Sequence, residues 1–372
     1  MKRLSTLYLL AAALIALCGA APCAKPGTGT TTAVKAQPVI RYSPSDRVYD
    51  VSFAAKAPRL ATRGCPMGPG RRLLQVWNTQ TWTLCRTIDI GSIEGTRRYN
   101  TKALALSPDG RMLAYLSGGV IYLWDMATGN SEQELRCPVG LPVSIVWSLD
   151  GRRLAAGGDG SVRVFDAASG KAIRSFAASG DVAFSADGRT LGIAGGISAA
   201  LFDIASGRKI RSYADKAGVQ GPISLSPDGR YVATGGEDPT WDPGPPPVDE
   251  DGRIYSPSEA YYAHLLKVKV WDCRTGKLIA MLPGHGSTGG GTYVLQFSPD
   301  SHRLFSGGDG TVTLWDIGSR RAVRNFEISY GSALSPDGKM IAFGVFAEEN
   351  GLRVYSVATG RLLMKTSSKA GR

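Results

Sequence analysis

Residues 107–125 read SPDGRMLAYLSGGVIYLWD. A small polar turn opens this stretch, an apolar strand follows, a glycine-bearing turn interrupts it, and a second strand ends in Trp124-Asp125. Proline at the second turn position arrives with its backbone angle set, aspartate hydrogen-bonds nearby amides, and glycine at the fourth position suits the exit. The turn therefore joins two antiparallel strands, and the segments between turns are short and rich in β-branched and aromatic residues.

The same phrase recurs along the chain. Its aromatic endings are Trp77-Asn78, Trp124-Asp125, Phe165-Asp166, Phe202-Asp203, Trp271-Asp272, Trp315-Asp316 and Tyr355-Ser356, at intervals of 47, 41, 37, 69, 44 and 40 residues. The opening turns stand in phase at 107–110, 148–151, 185–188, 226–229, 298–301 and 335–338, and the first repeat shows a degenerate version, Ser52-Phe53-Ala54-Ala55. A second family of turns, among them Ala127-Thr128-Gly129, Ala168-Ser169-Gly170, Ala205-Ser206-Gly207, Arg274-Thr275-Gly276 and Ala358-Thr359-Gly360, starts a fourth strand. A single four-stranded sheet cannot bury both its faces, but sheets arranged radially bury one another. The expected fold is all-β: a seven-bladed β-propeller of four-stranded antiparallel blades over residues 47–368. Either 38–42 or 361–365 can supply the outer strand where the ends of the ring meet.

With seven in-phase copies over roughly residues 47–365, the chain resembles the WD-repeat family. Two departures stand out: the Gly-His pair of the family repeat survives only as Gly284-His285, and three repeats replace the strand-ending Trp by Phe or Tyr. The resemblance implies a structural hydrogen-bond network at His285, Asp309 and Trp315, with Ser306 the nearest serine for its fourth member. It also implies a noncatalytic scaffold that binds a protein or peptide.

Composition fits such a chain. Of 372 residues, 47 are glycine and 21 proline, the signature of many tight turns, and hydrophobic content of 43% supports a substantial core. Lys2 and Arg3 precede an apolar run at 7–17 and then small residues, the pattern of a secretory leader cut after Ala20. Leu17 and Pro22 break the pattern that lipid anchoring at Cys18 or Cys23 requires. Residues 21–46 read as a flexible tether that can contribute one closing strand. No later stretch is long and apolar enough to span a membrane. The expectation is therefore export to the bacterial periplasm, envelope or exterior. Cys65, Cys85, Cys137 and Cys273 form no C-x-x-C pair, which argues against zinc, while an oxidising compartment would permit a Cys65–Cys85 bridge.

Chemistry-bearing motifs are sparse. His264, His285 and His302 lack metal-ligand spacing, so no metal and no cofactor is expected. The glycines of 284–291 lead into a strand rather than the helix start that would hold a phosphate. An exported propeller enzyme of lactonase or hydrolase type is the alternative class, without a nucleophile motif to support it.

The 69-residue interval instead marks an insertion at 237–265, between the second and third strands of the fifth blade. It is acidic and aromatic, and its partner-binding candidates are Trp241, Asp242, Asp249, Glu250, Asp251, Tyr255, Tyr261 and Tyr262. Long loops in compact repeat folds concentrate on binding faces. Because strands alternate in direction, this loop shares a face with those joining one blade to the next. Arg63, Arg71, Arg72, Arg97 and Arg98 are expected on that face nearly opposite, giving an acidic sector across from a basic one.

Net charge is +12. Much of it recurs on fourth strands, at Lys171, Arg174, Arg208, Arg211, Lys277, Arg321, Arg324 and Lys365, where charges deter edge-to-edge pairing of sheets. An anionic envelope polymer or membrane surface is the other partner class such a rim suggests. Export argues against nucleic acid.

Overall fold

The computed structural model describes residues 46–66, 72–91, 102–137, 142–196, 198–214, 218–238, 240, 266–285, 292–308, 310–327, 330–345 and 351–366. Within them the strands form seven four-stranded antiparallel sheets. Blade 1 holds β1 (Asp46–Phe53), β2 (Arg59–Pro66), β3 (Leu73–Asn78) and β4 (Leu84–Asp89); blade 2 holds β5 (Leu104–Leu106), β6 (Met112–Ser117), β7 (Val120–Asp125) and β8 (Ser131–Arg136). Blade 3 comprises β9 (Pro142–Trp147), β10 (Arg153–Gly158), β11 (Val162–Asp166) and β12 (Ala172–Phe176). Blade 4 comprises β13 (Asp181–Phe184), β14 (Thr190–Gly195), β15 (Ser198–Asp203) and β16 (Lys209–Tyr213). Blade 5 follows with β17 (Gln220–Leu225), β18 (Tyr231–Glu237), β19 (Leu266–Asp272) and β20 (Leu278–Pro283). Blade 6 has β21 (Thr292–Phe297), β22 (Arg303–Gly308), β23 (Thr311–Asp316) and β24 (Arg321–Glu327), and blade 7 has β25 (Tyr330–Leu334), β26 (Met340–Val345), β27 (Gly351–Ser356) and β28 (Leu362–Lys365). In every blade the order across the sheet is the order in the chain, with the first strand innermost.

Alternating side chains give each sheet two apolar faces, and seven apolar clusters result, one per pair of neighbouring blades. The aromatic ending each third strand turns toward the preceding blade: Trp124 packs with Leu74 and Val76 of blade 1, and Trp271 with Leu201 and Tyr213 of blade 4. Blade 7 meets blade 1 in the same way, through Ala342, Leu352 and Val354 against Val48, Val51 and Leu60. Its outer strand is β28, so of the two candidate closing segments 361–365 is the one used, and 38–42 lies outside the described residues. Among the described residues no strand crosses this seam, and glycine makes the close approach. A Cβ on Gly344 would stand 2.0 Å from the Val48 carbonyl oxygen.

The turns are built as their residue types require. The Ser107 hydroxyl donates to Asp109 at 2.6 Å and accepts from the Met112 amide at 2.9 Å, while the Arg111 amide donates to Asp109 at 3.0 Å. The same Ser–Asp bond recurs in blades 3 to 7. It holds Asp187 and Asp300 below the usual carboxylate range through the Ser185 and Ser298 hydroxyls. In blade 1 the turn expected at Ser52-Phe53-Ala54-Ala55 lies two residues later, beginning at Ala54, whose amide pairs with the Arg59 carbonyl at 3.0 Å. Ser52 and Phe53 remain in β1, and Ser52 accepts from the Leu106 amide of blade 2 at 3.1 Å.

That last contact is one of a set. The innermost strands have a free edge, and polar side chains of one blade cap amides of the next. Ser144 accepts from Val182, Asp181 from Ile223, Ser224 from Phe297, and Gln296 from Leu334, at 3.0 to 3.3 Å. At the outer rim, arginine performs a similar task in reverse. Arg86 donates to the Ala127 carbonyl at 2.5 Å, Arg174 to Ile204 at 3.1 Å, Arg211 to Thr275 at 3.3 Å and Arg324 to Ala358 at 3.0 Å, each reaching the third-to-fourth-strand turn of the following blade. Arg174, Arg211 and Arg324, expected as charges guarding a sheet edge, are thus also clasps between blades.

Register also decides the cysteine question. Cys65 in β2 and Cys85 in β4 are separated by β3, and Cys65 pairs with Arg47 near one end of the blade while Leu84 pairs with Trp77 near the other. Strands two apart lie roughly 9–10 Å from each other, beyond disulfide reach, so the Cys65–Cys85 bridge is excluded.

Candidate functional site

All seven first strands run toward the Ser-Pro-Asp-Gly turns, so the blade-joining segments and the second-to-third-strand hairpins share the other face. There the blade 5 hairpin is exceptional. Glu237 closes β18 opposite Leu266 of β19, so the insertion leaves and returns at one hairpin end. At its base, burial opposes ionisation of Asp238, but the Thr240 hydroxyl and amide, at 2.7 and 2.9 Å, and the Lys267 ammonium hold its carboxyl below the usual range. Beneath, the fully buried Lys269 donates to the Gly218 carbonyl at 2.8 Å. Trp241, Asp242, Asp249, Glu250, Asp251, Tyr255, Tyr261 and Tyr262 lie outside the described residues, as do Arg71, Arg97 and Arg98. Arg72 is described and half-buried. Arg63, expected on a surface loop, is instead a β2 residue only 8% exposed, its guanidinium over the Tyr49 ring. Alternation along β2 turns it inward, so it does not belong to a basic sector of the face.

Of the expected network at His285, Asp309 and Trp315, the structure describes His285 and Trp315 together with Ser306. Trp315 donates its indole N–H to Ser306 Oγ at 2.8 Å, and Ser306 Oγ stands 2.6 Å from His285 Nε2. Ser306 Oγ thus lies between the indole and the imidazole, and His285 Nδ1 stands 3.0 Å from Thr311 Oγ1. Asp309 lies outside the described residues. Burial pushes the His285 pKa down to about 4, which keeps the ring neutral. Two further blades carry a shorter version, Trp271 to Thr234 at 2.9 Å and Trp77 to Thr62 at 3.4 Å. The sequence signal is positional: eight residues after the turn start stand Thr62, Thr234 and Ser306 in three of the four blades whose strand ends in Trp, with Tyr115 in the fourth. Ala156, Ile193 and Phe343 stand there where it ends in Phe or Tyr.

Along the axis lies a cavity of about 640 Å³. Its charged lining residues, Asp50 and Lys102, lie toward the blade-joining end. Asp50, 5% exposed, accepts from the Val51 amide at 3.0 Å through one oxygen, and its other oxygen has no hydrogen-bond partner. Burial pushes its pKa up to about 7, against the pull of the Arg63 charge and of the amides of Ala103, Val51 and Leu104. Lys102 of blade 2 reaches Asp181 of blade 4 at 2.9 Å, and Asp181 also accepts from the Val182 and Ile223 amides. Asp50, Lys102 and Asp181 carry no motif. Their signal is a charged residue four or five places before the turn, where the other blades have Ser144, Pro222, Val294 or Gly331. Among the described residues no three His, Cys, Asp or Glu side chains group as metal ligands.

Toward the Ser-Pro-Asp-Gly face the lining becomes apolar. The residue before each turn lines the cavity as Phe53, Trp147, Phe184 or Phe297 in four blades and as leucine in the other three. The second turn residue also lines it in all seven blades, as proline in four and as Ala55, Leu149 and Ala186 in the rest.

Comparison with known proteins agrees with this architecture. The family model described as WD domain, G-beta repeat, matches residues 131–166 and 276–316. WD repeat-containing protein 1 of Gallus gallus is 29% identical over 107 residues, which is 28% of this chain and 13% of the relative. Its Bos taurus counterpart is 29% identical over 105 residues, again 28% of this chain and 13% of the relative. The matched segment is thus a small part of those proteins. Among solved structures, a chain of Kuenenia stuttgartiensis hydrazine synthase superposes with a TM-score of 0.65 at 19% identity, covering 87% of this chain and 99% of that one, a likeness of fold. WD repeats are matched in sequence at 131–166 and 276–316, and seven four-stranded blades surround one axis: the chain is a seven-bladed β-propeller that carries WD repeats.

Proposed function

We propose that this chain is a noncatalytic scaffold, exported to the bacterial periplasm, envelope or exterior, that docks a protein or peptide on its blade-joining face at residues 237–265. WD propellers generally bind proteins, and the fold is consistent with that role. The observation that carries the reading is the paired exit at Glu237 and Leu266: one hairpin end presents an acidic, aromatic segment, while the recurring Ser, Asp, His and Trp of the repeats are occupied in turns and blade contacts. The leader-like start of the chain supports export.

The pairing also makes the test clean. Replacing 239–265 by one glycine leaves Asp238-Gly between Glu237 and Leu266, a two-residue hairpin turn that suits the twist of both strands. Cross-linked affinity capture with both chains should recover a partner that depends on the segment, while thermal melting stays within a few degrees. Equal recovery of every partner by the shortened, folded chain would refute the assignment.

A further inference from the structure

The two ends of the axial cavity differ in a way that selects a ligand. Along the walls most polar side chains are already engaged: Ser224 and Gln296, two residues before their turns, cap amides of the next blade, and nearer the blade-joining end Asp181 accepts from Lys102 and from two amides. Gln296 is saturated further, donating to the Leu334 carbonyl at 3.2 Å while accepting from its amide. Apart from Asp50, whose second oxygen is without a hydrogen-bond partner, a wall so satisfied internally asks few hydrogen bonds from a guest. At the other end two successive rings of apolar residues line the opening, and Leu149 among them is 44% exposed, an outlay of apolar surface that the packing of the blades does not use. The volume of about 640 Å³ falls within the roughly 300–1,000 Å³ of drug-sized ligand sites. In six blades an aspartate follows the second-ring residue, and the turn serines hold Asp187 and Asp300 ionised. Basic neighbours offset these carboxylates, Arg111 beside Asp109, Arg230 beside Asp228 and Lys339 beside Asp337, so the mouth favours neither sign of charge, while the apolar rings disfavour both.

We propose that the central cavity binds an uncharged apolar small molecule, which enters past Leu149 and Ala186 from the Ser-Pro-Asp-Gly face and sits between the rings of Phe53, Trp147, Phe184 and Phe297. The site is independent of the protein-docking face, which lies at the opposite end of the axis. An apolar guest gains by burial against these rings, where a charged one would lose its hydration.

The probe is N-phenyl-1-naphthylamine, a neutral dye whose fluorescence rises on leaving water, beside 1-anilinonaphthalene-8-sulfonate, a similar body carrying a negative charge. With the full chain, the neutral dye should bind saturably at one site, and the sulfonate about tenfold more weakly or worse. Leu149→Asp places a charge in the mouth and Ala186→Trp fills it; both change exposed turn positions, so melting should stay unchanged while each weakens the neutral dye about tenfold. Ile210→Asp, on the outer rim where Ile210 is 51% exposed, should leave dye binding as it was. Absence of saturable binding, tighter binding of the sulfonate, retention of affinity in both mouth variants, or loss of affinity in Ile210→Asp would each overturn the proposal.

Discussion

Asp50 and His285 are both buried and titrate in opposite senses. The Asp50 pKa stands at about 7, above the ordinary 3.8, so the folded chain prefers this carboxyl protonated; its contribution to stability is complete below pH 3.8 and is lost as pH rises through about 7. The His285 pKa stands at about 4, below the ordinary 6.5, so its contribution is complete above pH 6.5 and is lost as pH falls toward 4. Asp50→Asn keeps an acceptor for the Val51 amide and removes the charge. The variant should therefore melt higher than the parent by an amount that grows between pH 4 and 7 and levels off above about pH 8, on the order of a few kcal/mol at its largest. Parallel melting curves across that range would show that Asp50 titrates normally. His285 was legible in the sequence because its Gly-His motif is rare in this chain. Asp50 was not, since nothing local shows that its strand lies innermost and its carboxyl between blades.

The rim clasps belong to the scale of the element, because each joins a fourth strand to the turn of the next blade. Glycine accompanies them: Gly129, Gly207, Gly276 and Gly360 take a left-handed backbone, and a Cβ on any of them would meet the clasping Arg86, Arg174, Arg211 or Arg324 within 3.4 Å. Where blade 5 has Ala280 and blade 7 has Met364 at the clasp position, the following turns carry Arg320 and Trp82 in place of glycine, both still left-handed at φ 58° and 55°. Arg211→Ala should lower stability by about 1 kcal/mol, while Arg208→Ala, an exposed neighbour without such a contact, should change it by less than about half of that. Equal effects in denaturant titrations would mean that the Arg211 contact does not hold the blades together. The recurrence of arginine was visible in the sequence, but its purpose was not. Basic residues on a strand edge look alike whether they meet solvent or the next blade.

Over the whole molecule, seven blades were legible because one phrase repeats with constant internal spacing and each repeat is a unit that must bury both faces against its neighbours. The seam between blades 7 and 1 was less so, since two segments had the composition of a closing strand and only pairing in space distinguishes them. The first blade's turn was misplaced by two residues because Ala54 lacks the serine hydroxyl that marks the other six. The same architecture separates roles: the repeat's polar residues hold the ring, and recognition is left to its faces. Hydrogen exchange on the chain with its captured protein partner tests that division most directly. Slowed exchange is expected on the blade-joining face, at 231–238 and 266–272 above all, with the Ser-Pro-Asp-Gly turns unchanged. Protection confined to those turns or to the outer strands would contradict it.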